Sequence, residues 1–203
     1  MPDPIAQTWE AAAAVLEAAP ICHVAFVEAG RPRVLPALHA LVGRTLYLHG
    51  SPASSVIRAT NSGGPLSISA VVLDGVVVAH SACHSALNYH SVLLSGTGCE
   101  VTDPGEIEQA LRAITERITP GGWERGRRPR PDEIAATAVA AVTITGFSVR
   151  ARSGPSEEDA ADRSLPGWTG IVPLHLEAGP AVPDPNVPPG ISPPKVLPGA
   201  TRR

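Results

Sequence analysis

Between Ile21 and Arg152 turn residues cut the chain into apolar segments of strand length, and most of the connections are too short for helical crossovers. Ala29-Gly30 and Gly43-Arg44 separate the first three segments, Ile21–Glu28, Arg33–Val42 and Thr45–His49. Pro36 within the second marks an edge or a bulge, because proline offers the ladder no donor. Asp74-Gly75 carries the clearest hairpin signal and predicts a two-residue turn between Leu66–Leu73 and Val76–Ser81. Two long strands follow, Tyr89 to about Val101 and Ala138–Arg152. Such a series of antiparallel neighbours has to close on itself or leave bare edges. The expected fold is therefore mainly β, a closed or partly open antiparallel barrel of Greek-key type with peripheral helices.

The helices are few. Asp3-Pro4 has the form of an N-cap followed by proline, and Ile5, Trp9, Ala12, Leu16 and Ala19 then recur at helical spacing up to Pro20. Ser51 reads as the N-cap of a short helix reaching about Thr60. Asp103-Pro104-Gly105-Glu106 forms a capping-box pattern ahead of Ile107, Leu111, Ile114 and Ile118. Thr119–Pro131 is a loop rich in glycine, proline and arginine, and a helical turn is expected near Asp132–Ala136. From about Ala178 the proline-rich chain has no periodicity. The expected organisation is one domain over 1–177 and a disordered tail over 178–203.

Charge and cysteine usage exclude several classes. A net charge of −3 argues against a general nucleic-acid or anionic-membrane binder. Lys195 is the only lysine beside fifteen arginines, so Schiff-base chemistry in the barrel is not expected. Cys22, Cys83 and Cys99 lie far apart in no CxxC arrangement, which fits reduced cytoplasmic thiols. The N-terminus shows no basic segment ahead of an apolar run, and no apolar stretch is long enough to span a bilayer. A cytoplasmic location is expected.

The chemistry-bearing residues gather in Ala79–Gly98, which holds three of the seven histidines. Three readings stay open on residue types alone. His80, His84 and His90 could ligate a metal, although no acidic residue stands close by in the sequence. Cys83 or a nearby serine could act as a nucleophile with His84. A phosphate-bearing ligand could be held by Ser51, Ser54, His90, Ser91 and Arg150, with the helix start after His49-Gly50-Ser51 offering backbone N–H groups. The same residues would serve equally well as solvated strand faces.

A set of segments in fixed order carries a family resemblance. They are ICHVAFVEAGRPRVLPALHAL, TLYLHGSPAS, NYHSVLLSGTGCEVTDPGEIEQALRAIT, FSVRARSGP and WTGIVPL. In these the chain resembles the pyridoxamine 5'-phosphate oxidase-like superfamily, in its flavin-nucleotide-binding or nitroimidazole-resistance branch. The resemblance implies an FMN-binding split barrel, a homodimer with the cofactor at the interface, and hydride or electron transfer to a small organic molecule. It places Pro36, Ala37 and Leu38 along the flavin ring, and His49, Gly50, Ser51, Ser54, Ser55 and Arg58 around the ribityl phosphate. Tyr89, His90, Ser91 and Arg150 add further contacts, with His49 as a candidate proton donor at the flavin edge. Relatives commonly carry cations where this chain has Ser55 and His90, which leaves Arg58, or a protonated His90, to compensate. A non-catalytic flavin or haem binder on the same barrel is the alternative, and no metal ion is expected.

Overall fold

The computed structural model describes residues 7–197. Eight strands form one antiparallel sheet in the order β2-β1-β5-β6-β7-β4-β3, with β8 paired to the far half of β5. These are β1 (Cys22–Glu28), β2 (Arg31–Ala37), β3 (His39–Val42), β4 (Thr45–Gly50), β5 (Pro65–Val78), β6 (Ala86–Glu100), β7 (Ala138–Arg152) and β8 (Gly170–Pro173). The helices are α1 (Trp9–Ala18), α2 (Ser55–Asn61), α3 (Pro104–Ile118), α4 (Gly122–Arg125) and α5 (Pro131–Ala135). Among the described residues, no helix is long and apolar enough to cross a membrane.

Alternation along the strands makes the barrel. Cys22, Val24 and Phe26 of β1 point inward with Leu66, Ile68 and Ala70 of β5, Val92 and Leu94 of β6, and Leu46 and Leu48 of β4. Helix α1 seals this core with Ala12, Val15 and Leu16. A second, smaller core forms where Tyr47, Val139 and Ala141 meet Ala110 and Ile114 of α3. The β3-β4-β7 portion is thus apolar on both faces, as its near-continuous hydrophobic runs require.

Four local expectations change. The Asp74-Gly75 pair makes a bulge, not a hairpin: β5 runs unbroken from Pro65 to Val78, and its register against β6 slips between Leu73 and Gly75. Val76 and Val77 pair with Leu87 and Ala86, so both halves find their hydrogen bonds on β6 and no two-residue turn forms. The turn lies instead at 79–85. The expected strand Arg33–Val42 is two strands divided at Leu38, because β2 pairs with β1 while β3 pairs with β4. Helix α2 starts later than expected, at Ser55 with Ser54 as N-cap, while the Ser51 hydroxyl accepts the Ala53 N–H at 3.2 Å. Helix α1 begins at Trp9, and its N-cap is Thr8, whose hydroxyl accepts the Ala11 N–H at 3.3 Å. Asp3-Pro4 lies outside the described residues. Asp103 caps α3 as expected, accepting the Glu106 N–H at 2.9 Å.

Buried polar groups tie α1 to this frame. His39 is 1% exposed and its Nε2 donates to the Leu16 carbonyl at 2.9 Å. Burial, aided by the nearby Arg117 guanidinium, pushes its pKa down to about 4. The native state therefore keeps this imidazole neutral, whereas the unfolded chain protonates it near 6.5. Stability is full above that value and falls as pH drops from about 6.5 towards about 4, by up to about 3 kcal/mol from this residue. Urea unfolding across this range should show the decline, and His39→Leu should flatten it.

Candidate functional site

The sequence-selected residues fall into two groups. The first surrounds the end of β4. His49 is the last side chain of that strand on its α3 face, opposite Val139 of β7. Gly50 lies so close to α2 that a Cβ there would come within 3.3 Å of Ile57 Cγ1. Ser51, Ser54 and Ser55 follow in the connecting turn and first helical turn, where the Ser54 N–H donates to the Ser51 carbonyl at 2.9 Å. Arg58 folds back over this turn. Its guanidinium donates to the Ala53 carbonyl and faces Glu28 at 3.4 Å, so the cation stands beside the serines.

The second group lies on the outer face of the sheet. Pro36, His23, Ser69, Leu93 and Ser148 sit opposite one another across five strands. Val71, Ser91 and Arg150 form the next row, and the Ser91 hydroxyl donates to the Arg150 carbonyl at 3.4 Å. Tyr89 shares this face. Ala37 pairs with Cys22 and so turns inward, and Leu38 is the break between β2 and β3. The row adds His23, which no motif singled out. Val27, Val34, Val71 and Leu93 leave the same face apolar and open, with Val27 at 71% exposure.

His90 belongs to neither group. It opposes Val72 and Ala151, on the other face from Ser91, and its Nδ1 lies 2.6 Å from Asp74 Oδ2 across the bulge. The bulge explains this contact, since the extra residue turns Asp74 back towards β6. His80 has a separate carboxylate: its Nδ1 is 3.2 Å from Glu158, which also accepts the His80 N–H. Among the described residues, no three His, Cys, Asp or Glu side chains are arranged to hold a metal ion. Cys83 is exposed.

Two cavities adjoin these residues. One, of about 490 Å³, lies between the β4 end and helices α3, α4 and α5, lined by His49, Leu111, Trp123, Arg127, Glu133 and Ile134. Its charges are mutually satisfied, because Arg127 grips Glu133 through two nitrogens at 2.7 and 2.5 Å. That contact, with the N–H of Arg130, holds the Glu133 carboxyl down at about 2. The arginine run is therefore committed locally, with Arg128 on Glu124 and Arg130 on Asp132 and Glu133. His49 Nδ1 and Trp123 Nε1 are buried without hydrogen-bond partners. Burial lowers the His49 pKa, so this imidazole is neutral at pH 7. Trp123 was not among the residues chosen from sequence. The signal was present, since a single tryptophan in a glycine-, proline- and arginine-rich loop must find a surface to bury against.

The other cavity, of about 840 Å³, is more apolar and lies between the end of α1, β5 and the segment after β8. Val72, Leu73, Leu174 and Leu176 supply its walls, and Asp74 and His175 its polar edge.

Comparison with known proteins gives a consistent picture. The family model described as pyridoxamine 5'-phosphate oxidase matches residues 8–151. A flavocytochrome from Azotobacter vinelandii is 33% identical, with a TM-score of 0.83 and coverage of 94% of this chain and 88% of that one. An FAD- and haem-binding protein from Mycobacterium smegmatis is also 33% identical, with a TM-score of 0.87 and 93% of each chain covered. A putative 5-nitroimidazole antibiotic resistance protein from Bacteroides thetaiotaomicron shares the fold at 18% identity and a TM-score of 0.58, over 71% of this chain and 84% of that one. No curated protein matches the chain.

Proposed function

The chain belongs to the pyridoxamine 5'-phosphate oxidase family, with the antiparallel split barrel of that family, and on this premise we propose that it is a flavin-binding redox protein acting on a small organic molecule. The observation that carries the reading is the 33% identity, over more than nine-tenths of the chain, to two proteins described as a flavocytochrome and as an FAD- and haem-binding protein. A bound flavin would supply hydride or single-electron transfer, and the protein would supply position and exclusion of water.

The residues present fit such a group. Gly50 keeps the β4 backbone against α2, and the serines of the following turn offer hydroxyls beside the Arg58 guanidinium. A charge-assisted bond from Arg58 is roughly twice as strong as one from a hydroxyl, so this arginine supplies the charge that relatives carry at the Ser55 position. On the outer face, Pro36, Ser91 and Arg150 would meet the ring side of a cofactor held by a second copy of the chain. The exposed Val27, Val34, Val71 and Leu93 support that homodimer, since a contiguous apolar face of this kind is normally covered. His49, neutral and half-buried, would hydrogen-bond the ligand at the junction of the two regions. The three free cysteines fit a reducing cytoplasm.

Haem alongside the flavin is a second reading, and the larger cavity favours it. Its walls of Val72, Leu73, Leu174 and Leu176, with the imidazole of His175 at the edge, suit a porphyrin better than a polar nucleotide. The visible spectrum of the purified protein tests both readings. A two-banded absorption in the near-ultraviolet and blue is the flavin signature, and a single intense Soret band is the haem signature. A colourless protein that takes up neither added cofactor would end the proposal.

A further inference from the structure

We propose that residues 177–197 form a strap that closes the larger cavity over an apolar ligand, with Leu197 as its latch. The closure is independent of the flavin and haem readings above, since it concerns how the cavity is covered and not which group fills it. Seven prolines stand between Glu177 and Val196. Proline gives a ladder no donor and fixes its own φ, so this stretch adds neither strand nor helix, yet loses little freedom when laid out extended. Every residue from 177 to 196 is exposed, Val182 at 92%. The turns within it are local, as where the Val187 N–H donates to the Asp184 carbonyl at 2.9 Å. Both ends come back to one place. Leu174 and Leu176 wall the cavity where the strap leaves the sheet, and Leu197 walls it where the strap returns.

The two ends are fastened differently. At the first, the Leu174 N–H donates to the Asp74 carbonyl at 3.0 Å, directly after the β8 ladder. Asp74 is the residue that the β5–β6 register skips, so the bulge leaves its carbonyl for the strap. At the second, one backbone bond runs from the Leu197 N–H to the Ile118 carbonyl at 2.9 Å. Ile118 ends α3, and the last carbonyls of a helix have no partner within it. Leu197 is half-buried, the first residue after Gly170 that is not exposed. Its φ of 41° lies in the left-handed region, which leucine seldom adopts unless something holds it there. A strained residue held by one bond and one apolar contact is a fastening that can let go, whereas the β8 ladder stays. The ligand class follows from the walls. Val72, Leu73 and the strap leucines are apolar, and Arg117, the cation at the edge, is committed to the α1 carbonyls. An apolar ligand buries Leu197 further and so favours the closed strap.

The test is stopped-flow uptake of Nile red, an uncharged dye that fluoresces in apolar sites, by three forms of the protein. The first is the full chain. The second is Leu197→Pro, which removes the N–H and sets φ to about −65°, so neither the bond nor the conformation survives. The third is the full chain cut by endoproteinase Lys-C. Lys195 is the only lysine, is exposed and lies two residues before the latch, so the cut severs Leu197 after the protein has folded. In the full chain the uptake rate should level off as dye is raised, because opening of the strap limits it. The variant and the cut chain should each take up dye at least about tenfold faster, without levelling off and with unchanged circular dichroism. A variant that fails to fold leaves the cut chain to decide. Equal uptake rates in the full and cut chains would overturn the latch. Nile red that binds neither of them would overturn the apolar site.

Discussion

Gly98→Val should leave little native protein to measure, and Gly98→Ala should already lower stability by about 3 kcal/mol or more, beyond the usual range of overpacking. A Cβ at Gly98 would lie 2.6 Å from the Thr60 carbonyl oxygen and would also strike the Thr60 methyl group. Neither can retreat. Thr60 is fully buried, and its hydroxyl donates to the Val56 carbonyl at 2.8 Å, which locks its rotamer in the last turn of α2. Gly98 is therefore the point where β6 and α2 touch backbone to backbone, and this contact seats the helix that follows the β4 turn. Gly179→Ala provides the control, because nothing lies within 4 Å of a Cβ there. It should change stability by no more than about 0.5 kcal/mol. Chemical denaturation followed by circular dichroism separates the two.

Arg117→Ala should lower stability by about 2–4 kcal/mol, from loss of charge-assisted bonds to three carbonyls, of which that of Leu16 keeps the His39 donor. Helix α1 ends without a basic residue in its last turn. Its terminal carbonyls are capped from α3 instead. Arg117 donates to the carbonyls of Leu16 at 2.7 Å and Glu17 at 3.0 Å, and to that of Ala19. The guanidinium is half-buried there, and burial lowers its pKa. The same arginine helps to hold the His39 imidazole neutral, so its removal should raise the His39 pKa and soften the acid lability described above. Nuclear magnetic resonance titration of the histidine ring protons checks this part. An unchanged His39 titration would show that burial alone sets it.

The strands were legible because one face of each is buried, and alternation survives in the sequence wherever that holds. Val92, Leu94 and Gly96 against Leu93 and Ser95 in β6 are an example, as is the Asp103 cap of α3. Pairing was less legible. Asp74-Gly75 has the composition of a hairpin turn, but turn chemistry competes with whatever ladder lies alongside, and β6 is long enough to pair both halves of β5. The split at Leu38 was hidden for the same reason, because the partners of β2 and β3 are distant in sequence. Strand β8 also escaped notice; four residues carry too little pattern, and its partner is the far half of β5.

Within the candidate site, the β4 turn and the outer-face row were readable from motif order. His90 is the exception. In β6 it stands one position from Ser91 and so points to the opposite face, where it meets Asp74. The run between Thr119 and Pro131 reads in the sequence as a loop rich in glycine, proline and arginine. In the fold its members answer acidic residues within a few positions, Glu124, Asp132 and Glu133, that the sequence interleaves with them.

Flavin binding at the β4 turn of this barrel is read out by an equilibrium titration of the purified chain with FAD and FMN. Quenching of flavin fluorescence should saturate at one flavin per chain with a dissociation constant of about 1 µM or below, equivalent to roughly −8 kcal/mol. Arg58→Ala should weaken that binding about tenfold, the loss of one charge-assisted contact. Flavin fluorescence that stays unquenched at about 100 µM protein, or binding indifferent to Arg58→Ala, would contradict the account.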